Sequence, residues 1–504
     1  MSFDDILHVT GGFGKHQWKL FFLFGLPVHL NVFVKIGNVL IVSPPPYRCV
    51  LPFEDENSTY NLDDKVLSQW YRYDKYTQKY SPCTYLVNET DVKCDKFVFD
   101  TVLGKTLSVE FELTCEKDYL IATSNSLGIL GFLLGSFFFG NMSDRYGRKR
   151  IFIIVNVAYL SLGFFTIFSP NIWTFLILKL LMGFVTSGIY YTSYVLLIES
   201  TEPKKRVMAT ASLNVFYGSA MILASVLGYF APSWKYLDIF YTLFGIPCIF
   251  YIWLIPESPR WLISKQRFSE AKKAISTIAK DNNATVMEEH LQALVSSATL
   301  NNEDLAKVTL LDVLKYPTLR KRIFIVLYLN FSFMVYFAIV WNVSRLNGNL
   351  YINMALYGLM EIPSLFLTLI PGQKFGRRLV VSIFCIATGF CVLMSSLRRL
   401  DFLWVQVWLN IAKAIISSVL TMNYAYSSEI YPTVLRNAGL GMNSVMSGLG
   451  AVVCPYVYYL HSLWENLPNV IYATLIISSG LLCLLLPETL NKKLPDTLED
   501  AEAF

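Results

Sequence analysis

Charge is scarce in this chain: Asp, Glu, Lys and Arg make up only 16% of 504 residues, against 54% hydrophobic residues. With a mean hydropathy of +0.45, that shortage excludes a water-soluble globular protein. The net charge of +5 adds little, because in such chains the placement of Lys and Arg sets orientation and the total does not, so no nucleic-acid partner follows. Also missing are a metal-ligand cluster, a nucleophile elbow and a phosphate-binding loop, which disfavours an enzyme and leaves no cofactor or metal to expect. Residues 1–17 lack a basic stretch followed by a short apolar run and a small-residue cleavage site. The expectation is an uncleaved, cytoplasmic amino terminus.

What the chain has instead is long apolar runs. They cover roughly 18–42, 119–140, 151–169, 172–198, 207–230 and 236–255, then 323–343, 349–370, 379–397, 402–427, 437–460 and 468–486. At 1.5 Å per residue each is long enough to cross a hydrocarbon core of about 30 Å. Twelve spans with both termini cytoplasmic place the basic short loops inside, above all Gly140–Arg150 with its four basic residues around Asp144; Arg398 and Arg399 fall on the opposite side. The fold class expected is an all-α polytopic membrane protein in a lipid bilayer, with the plasma membrane as its location.

Residues 43–118 read as a folded extracellular loop. They hold Cys49, Cys83, Cys94 and Cys115, an even set that favours two disulfides in an oxidising compartment and admits three pairings. Asn57 and Asn88 open glycosylation sequons there, and the sequons at Asn141 and Asn283 fall on the cytoplasmic side.

Three features recur at an offset of about 230 residues. Gly147-Arg148 matches Gly376-Arg377, Glu199 with Arg206 matches Glu429 with Arg436, and Pro256-Glu257-Ser258 matches Pro487-Glu488-Thr489. The chain therefore reads as a tandem repeat of two six-helix halves around a central pathway. The expected organisation is a cytoplasmic segment 1–17, an amino-terminal half 18–255, a linker 256–322, a carboxy-terminal half 323–486 and a cytoplasmic tail 487–504. In the linker, Ala271, Ala274, Ile275 and Ile278 fall at helical spacing after a candidate cap at Ser269.

These motifs resemble those of a known family. Gly140, Asp144, Arg145, Gly147, Arg148 and Lys149 are similar to the G-x-x-x-D-R-x-G-R-[KR] signature of the major facilitator superfamily. Pro256-Glu257-Ser258-Pro259-Arg260-Trp261-Leu262, Ser428-Glu429-Ile430-Tyr431-Pro432-Thr433 with Arg436, and Leu486-Pro487-Glu488-Thr489 with Leu494-Pro495-Asp496-Thr497 look like the organic cation, organic anion and carnitine transporters, solute carrier family 22. The resemblance implies two six-helix bundles that transport by alternating access. It also implies a gate built from Asp144, Arg145, Arg148, Glu199, Arg206, Glu257, Glu429, Arg436 and Glu488, which latches the halves when the cavity faces outward. The second signature, 371–378, lacks the acid of the first.

Substrate chemistry has to come from ionisable groups inside apolar runs, where a charge is costly unless it faces protein or water. Those groups are Lys35, Lys179, Glu361 and Lys413. Glu361 stands where the family's cation carriers have an acid, with Lys413 as its candidate partner or as the binder of an anionic group, and Tyr336 matches a family aromatic. Tyr190 and Tyr194, one turn apart, would serve a cationic ligand through cation–π contact. Lys179 replaces a family Arg and suits a structural or gating contact. Where cation carriers tend to have an acid and anion or carnitine carriers an Arg, this chain has Gly448. The expected activity is transport of a small organic cation or a carnitine-like zwitterion. The alternatives are organic anion transport and a solute sensor that does not transport.

Overall fold

The computed structural model describes all residues except 1–2, 55–58, 75–78, 89, 102–103, 285–309, 347, 398–400, 433–434, 491, 493–494, 496 and 504. Asn57, Arg398, Arg399, Thr433, Leu494 and Asp496 therefore lie outside the described residues.

Eleven helices among the described residues are long and apolar enough to span a membrane. We label the twelve bundle helices in chain order: α1 (Lys15–Val42), α2 (Cys115–Tyr146), α3 (Arg148–Ile167), α4 (Ile172–Glu199), α5 (Pro203–Phe230), α6 (Trp234–Leu254), α7 (Pro317–Ser344), α8 (Leu350–Gly372), α9 (Arg377–Ser395), α10 (Phe402–Ile430), α11 (Arg436–Val457) and α12 (Leu467–Cys483). The last is the shorter one, at 17 residues. The chain folds as two six-helix bundles. Phe164, Phe168, Trp173, Phe230 and Trp253 stay exposed, as lipid-facing side chains must when no aqueous surface has to be covered.

Several helices are interrupted where function gathers. In α1 the hydrogen-bond ladder loosens to a π turn over Phe33–Gly37, which carries Lys35. In α8 the helix pauses at Met360 and restarts at Glu361. Pro363 falls in the first turn of the restarted segment, where its missing N–H breaks no helical bond, and a carboxylate at that amino-terminal position is favoured by the helix dipole.

The halves meet along α2–α11 and α5–α8. At the end of the bundle carrying the disulfide-bonded loop, the Tyr456 hydroxyl donates to Thr123 Oγ1 at 3.0 Å, Ser126 donates to the Val452 carbonyl at 2.7 Å, and Leu133 packs on Gly448. Nearer the other end, Gly140 of α2 and Gly441 of α11 have no heavy atom within 4 Å of where a Cβ would stand. Within the amino-terminal half, Lys179 of α4 pairs with Asp238 of α6 at 3.6 Å, both buried. Asp238 is thus a further intramembrane charge alongside the four read from the sequence.

In the loop, a short antiparallel pair sets Tyr47–Cys49 against Phe97–Phe99 and brings Cys49 to Cys94; Cys83 bonds Cys115. Asn88 is exposed in the tight turn joining Thr84–Val87 to Thr90–Lys93. The linker helix Phe268–Asp281 buries Ala271, Ala274, Ile275 and Ile278 on one face. Its N-cap is Arg267, so Ser269 sits inside the first turn and does not cap it. The linker end clasps the amino terminus. Asn282 accepts from His16 N at 2.8 Å and donates to Thr10 O at 2.9 Å and Gln17 Oε1 at 3.0 Å.

Candidate functional site

Glu361 is 2% exposed and Lys413 of α10 is 0% exposed, so these charges have no solvent to share them. They compensate each other: Lys413 Nζ donates directly to Glu361 Oε1. The same carboxylate oxygen accepts from the Tyr336 hydroxyl of α7 at 3.2 Å and from Ser417 Oγ of α10 at 3.2 Å. Ser364, one turn below Glu361, donates to its Oε2 at 3.4 Å. Lys413 Nζ also lies 4.4 Å from the centre of the Tyr336 ring and donates to Ser417 Oγ at 3.0 Å. Each of these donors offsets part of the solvation that the carboxylate has lost on burial.

The site sits on the seam between the halves. Gly218 of α5 backs onto Gly358 and Glu361, and Asn214 donates to Thr421 of α10 at 2.9 Å. Tyr217, the neighbour of Gly218, lies beside Glu361, Tyr336 and Tyr190. Tyr190 stacks on Tyr194 with ring centres 6.1 Å apart, and Phe132 of α2 touches Tyr190 at 6.2 Å. Lys35 closes the run, its ammonium 3.1 Å from the centre of the Phe132 ring. Glu361, Lys413, Tyr336, Tyr190, Tyr194 and Lys35 are therefore linked in one aromatic-lined belt. Two of its links, Tyr217 and Phe132, were not among the residues singled out in the sequence. Among the described residues no carboxylate pairs with Lys35, which is held by the π face of Phe132 alone.

At the opposite end of the bundle from the disulfide loop, the two signature loops show the same construction. Glu257 accepts from the backbone N–H groups of Arg148 (3.0 Å), Lys149 (3.1 Å) and Ser258 (3.0 Å), capping the start of α3. Gly147 makes the turn with φ of +105°, and an added Cβ would lie 2.5 Å from the Glu257 carboxylate. In the second half, Glu488 accepts from Arg377 N (2.9 Å) and Arg378 N (3.1 Å) at the start of α9, after Gly376 with φ of +91°. The guanidiniums also match. Arg148 binds Asp144 at 2.7 Å and Glu199 at 3.1 Å, while Arg377 binds Glu429 at 3.4 Å.

No acid precedes Arg377 at the position that Asp144 holds before Arg148, so only the first copy is a three-membered cluster. Arg206 donates to the Thr201 and Ile198 carbonyls at 3.0 and 3.3 Å, the end of α4 where a cation is favoured; Arg145 lies over the Tyr146 ring, and Arg436 begins α11. Each of these ion pairs joins elements of one half. The direct latch between halves expected from the sequence for the outward-facing state is not made by them.

The carboxyls of the two caps are shifted in opposite directions. Burial pushes the Glu257 carboxyl above the usual carboxylate range against its backbone donors. For Glu488 burial acts the same way, but four backbone N–H donors outweigh it and hold the group below that range. The charge on Glu257 thus works against the folded state near neutrality, and that cost is relieved as pH falls through its raised pKa. Glu488 contributes stability that is present above the ordinary carboxylate pKa and is lost as pH falls through its lowered one. At pH 7, Glu488→Gln is therefore expected to lower the unfolding temperature in detergent more than Glu257→Gln, and the gap should narrow on acidification toward pH 4. Equal losses at both pH values would refute the difference.

The family model described as "Sugar (and other) transporter" matches residues 66–500. "Organic cation transporter protein" of Drosophila melanogaster is 34% identical to this chain, covering 100% of it and 95% of that protein. "Organic cation/carnitine transporter 2" of Homo sapiens is 29% identical, covering 99% and 93%. Among solved structures, the inward open conformation of the xylose transporter XylE from E. coli superposes with a TM-score of 0.63 at 14% identity, over 96% of this chain and 99% of that one. At that identity the likeness speaks for the fold alone.

Proposed function

Since the chain belongs to the major facilitator superfamily and, within it, to the family of organic cation, organic anion and carnitine transporters, we propose that it carries a small organic ion across the plasma membrane by alternating access. One observation carries the reading: a buried carboxylate, Glu361, stands on the seam between the halves at the head of an aromatic belt that reaches both bundles. A carboxylate with tyrosine faces suits an organic ammonium group, through charge and cation–π attraction. Lys35, a cation with no acid partner among the described residues, lies at the far end of the belt and suits a carboxylate on the same molecule. A zwitterion fits both ends.

The contacts between α2 and α11 near the disulfide loop, with the Arg148 and Arg377 ion pairs at the other end each staying within one half, support an inward-facing conformation with the termini in the cytoplasm. In the outward-facing state the Asp144–Arg148–Glu199 cluster and the Arg377–Glu429 pair approach each other and close the cytoplasmic side. The exposed turn at Asn88 is the described acceptor for a glycan on the outer loop.

The test is uptake into proteoliposomes of three labelled solutes matched in size: a quaternary ammonium, an ammonium carboxylate and a carboxylate. Saturable uptake of the ammonium carboxylate in preference to the plain carboxylate is expected. Preference for the plain carboxylate would support the anion reading favoured by Lys35. Saturable binding without flux of any of the three would replace transport with sensing.

A further inference from the structure

The ammonium of Lys413 occupies the position that a ligand's cationic group would take. It has the Glu361 carboxylate, the Ser417 hydroxyl and the face of the Tyr336 ring, which together form a complete shell for an organic ammonium. Lys413 is itself 0% exposed, so no water competes for these contacts. A buried ion pair is a weak source of stability, since apolar residues of similar volume serve as well or better. Its presence on the seam between two moving halves asks for another reason.

We propose that Lys413 is a tethered stand-in for the substrate's cationic group, and that the site therefore selects an ammonium carboxylate over a simple cation. The charges decide it. With the site empty, Glu361 would be an uncompensated buried anion, and Lys413 removes that penalty, so the unloaded carrier can reorient. An incoming ammonium that takes Glu361 must expel Lys413, and its apparent affinity falls by the fraction of time that the position is free. A simple cation leaves the expelled Lys413 buried without a partner. A substrate that also carries a carboxylate adds no net charge to the belt, since that carboxylate, held toward Lys35, offsets the positive charge that the expelled Lys413 leaves uncompensated. Ser417, one turn from Lys413 on α10 and bonded to both members of the pair, is the swivel about which the exchange occurs.

The inference rests on the transport reading only in naming the occupant as cargo; its test needs no flux. In Lys413→Ala the retained Cβ and the missing remainder of the side chain define the probe as n-propylammonium. Purified Lys413→Ala in detergent is expected to show a saturable rise in melting temperature of roughly 2–3 °C with n-propylammonium at a hundredfold excess over its Kd. Wild type, with the position filled, and Glu361→Gln/Lys413→Ala, without the anion, should not respond. No response in Lys413→Ala, or an equal one in wild type, would overturn the proposal. Should Lys413→Ala fail to accumulate, n-propylammonium in the growth medium should restore it, and failure to do so counts against the proposal equally. In proteoliposomes, Lys413→Gln should raise uptake of a quaternary ammonium relative to an ammonium carboxylate by at least tenfold. An unchanged ratio, with both solutes transported, would reject the stand-in while leaving transport intact.

Discussion

Exchanging Glu361 for glutamine is expected to end high-affinity uptake of any ammonium-bearing substrate. The amide keeps the shape and one acceptor, so Tyr336 and Ser417 retain a partner, but the charge that holds an ammonium is gone. A hydrogen bond to a charged group contributes about 2–3 kcal/mol, which converts to a loss of roughly 30- to 150-fold in affinity. Stability falls as well, because Lys413 is left as a bare buried cation, and breaking one partner of a buried pair costs about 3–5 kcal/mol. The two effects can be separated. In Glu361→Gln/Lys413→Met no bare charge remains, so the melting temperature should recover to near wild type while ammonium uptake stays lost. A single Glu361→Gln variant that transports an ammonium carboxylate with unchanged KM and kcat at equal expression would remove Glu361 from the binding site.

The sequence makes some of this arrangement visible and hides the rest, for identifiable reasons. Glu361 and Lys413 stand out because a charge inside an apolar run is rare. Their direct pairing required the crossing of α8 and α10, which no local pattern encodes. The equivalence of Glu257 and Glu488 was legible through the repeat, since the same Gly-Arg and Pro-Glu pairs recur in register; their role was not, because the sequence put them in the gate and the structure has each cap a helix start through backbone N–H groups. The direction of their contacts was not legible, since a sequence cannot tell a guanidinium that binds within its own half from one that reaches across. Tyr217 and Phe132 were invisible for a different reason. Among 30 Tyr and 36 Phe, nothing local separates a ring on the seam from one facing lipid. The π turn at Lys35 depends on a shift of backbone hydrogen bonds that leaves no side-chain signature. Asp238 escaped notice near the start of its apolar run, and only the approach of Lys179 shows that it is buried. The disulfides needed the pairing of Tyr47–Cys49 with Phe97–Phe99 to choose among three connectivities.

The belt that joins Lys35 to Glu361 is carried by one helix crossing, and there a single methyl-sized change should have the largest effect on folding. Where α2 crosses α4, the backbones touch. A Cβ on Gly131 would overlap the Leu180 carbonyl oxygen and lie 2.9 Å from Phe184 N, and one on Gly183 would overlap the carbonyl of Gly128. The obstructing atoms are backbone, so no side chain can rotate away, and the helices have to separate. Overpacking in a close-packed interior costs about 1–3 kcal/mol when side chains give, and a backbone collision belongs above that range. Gly131→Val is therefore expected to lower the yield of folded protein sharply. Gly140→Ala, on the same helix but facing open space, should be neutral or slightly stabilising, because alanine is the better helix former by about 1 kcal/mol. The functional consequence follows from neighbours along the chain. Phe132 is adjacent to Gly131, and Tyr190 lies two turns beyond Gly183, so the crossing fixes the distance between the ring that holds Lys35 and the rings that lead to Glu361. The milder Gly131→Ala should, in whatever fraction folds, raise KM for an ammonium carboxylate more than for a simple ammonium, because only the first must reach both ends of the belt. Equal changes for the two solutes would mean that Lys35 and Glu361 do not hold one molecule between them.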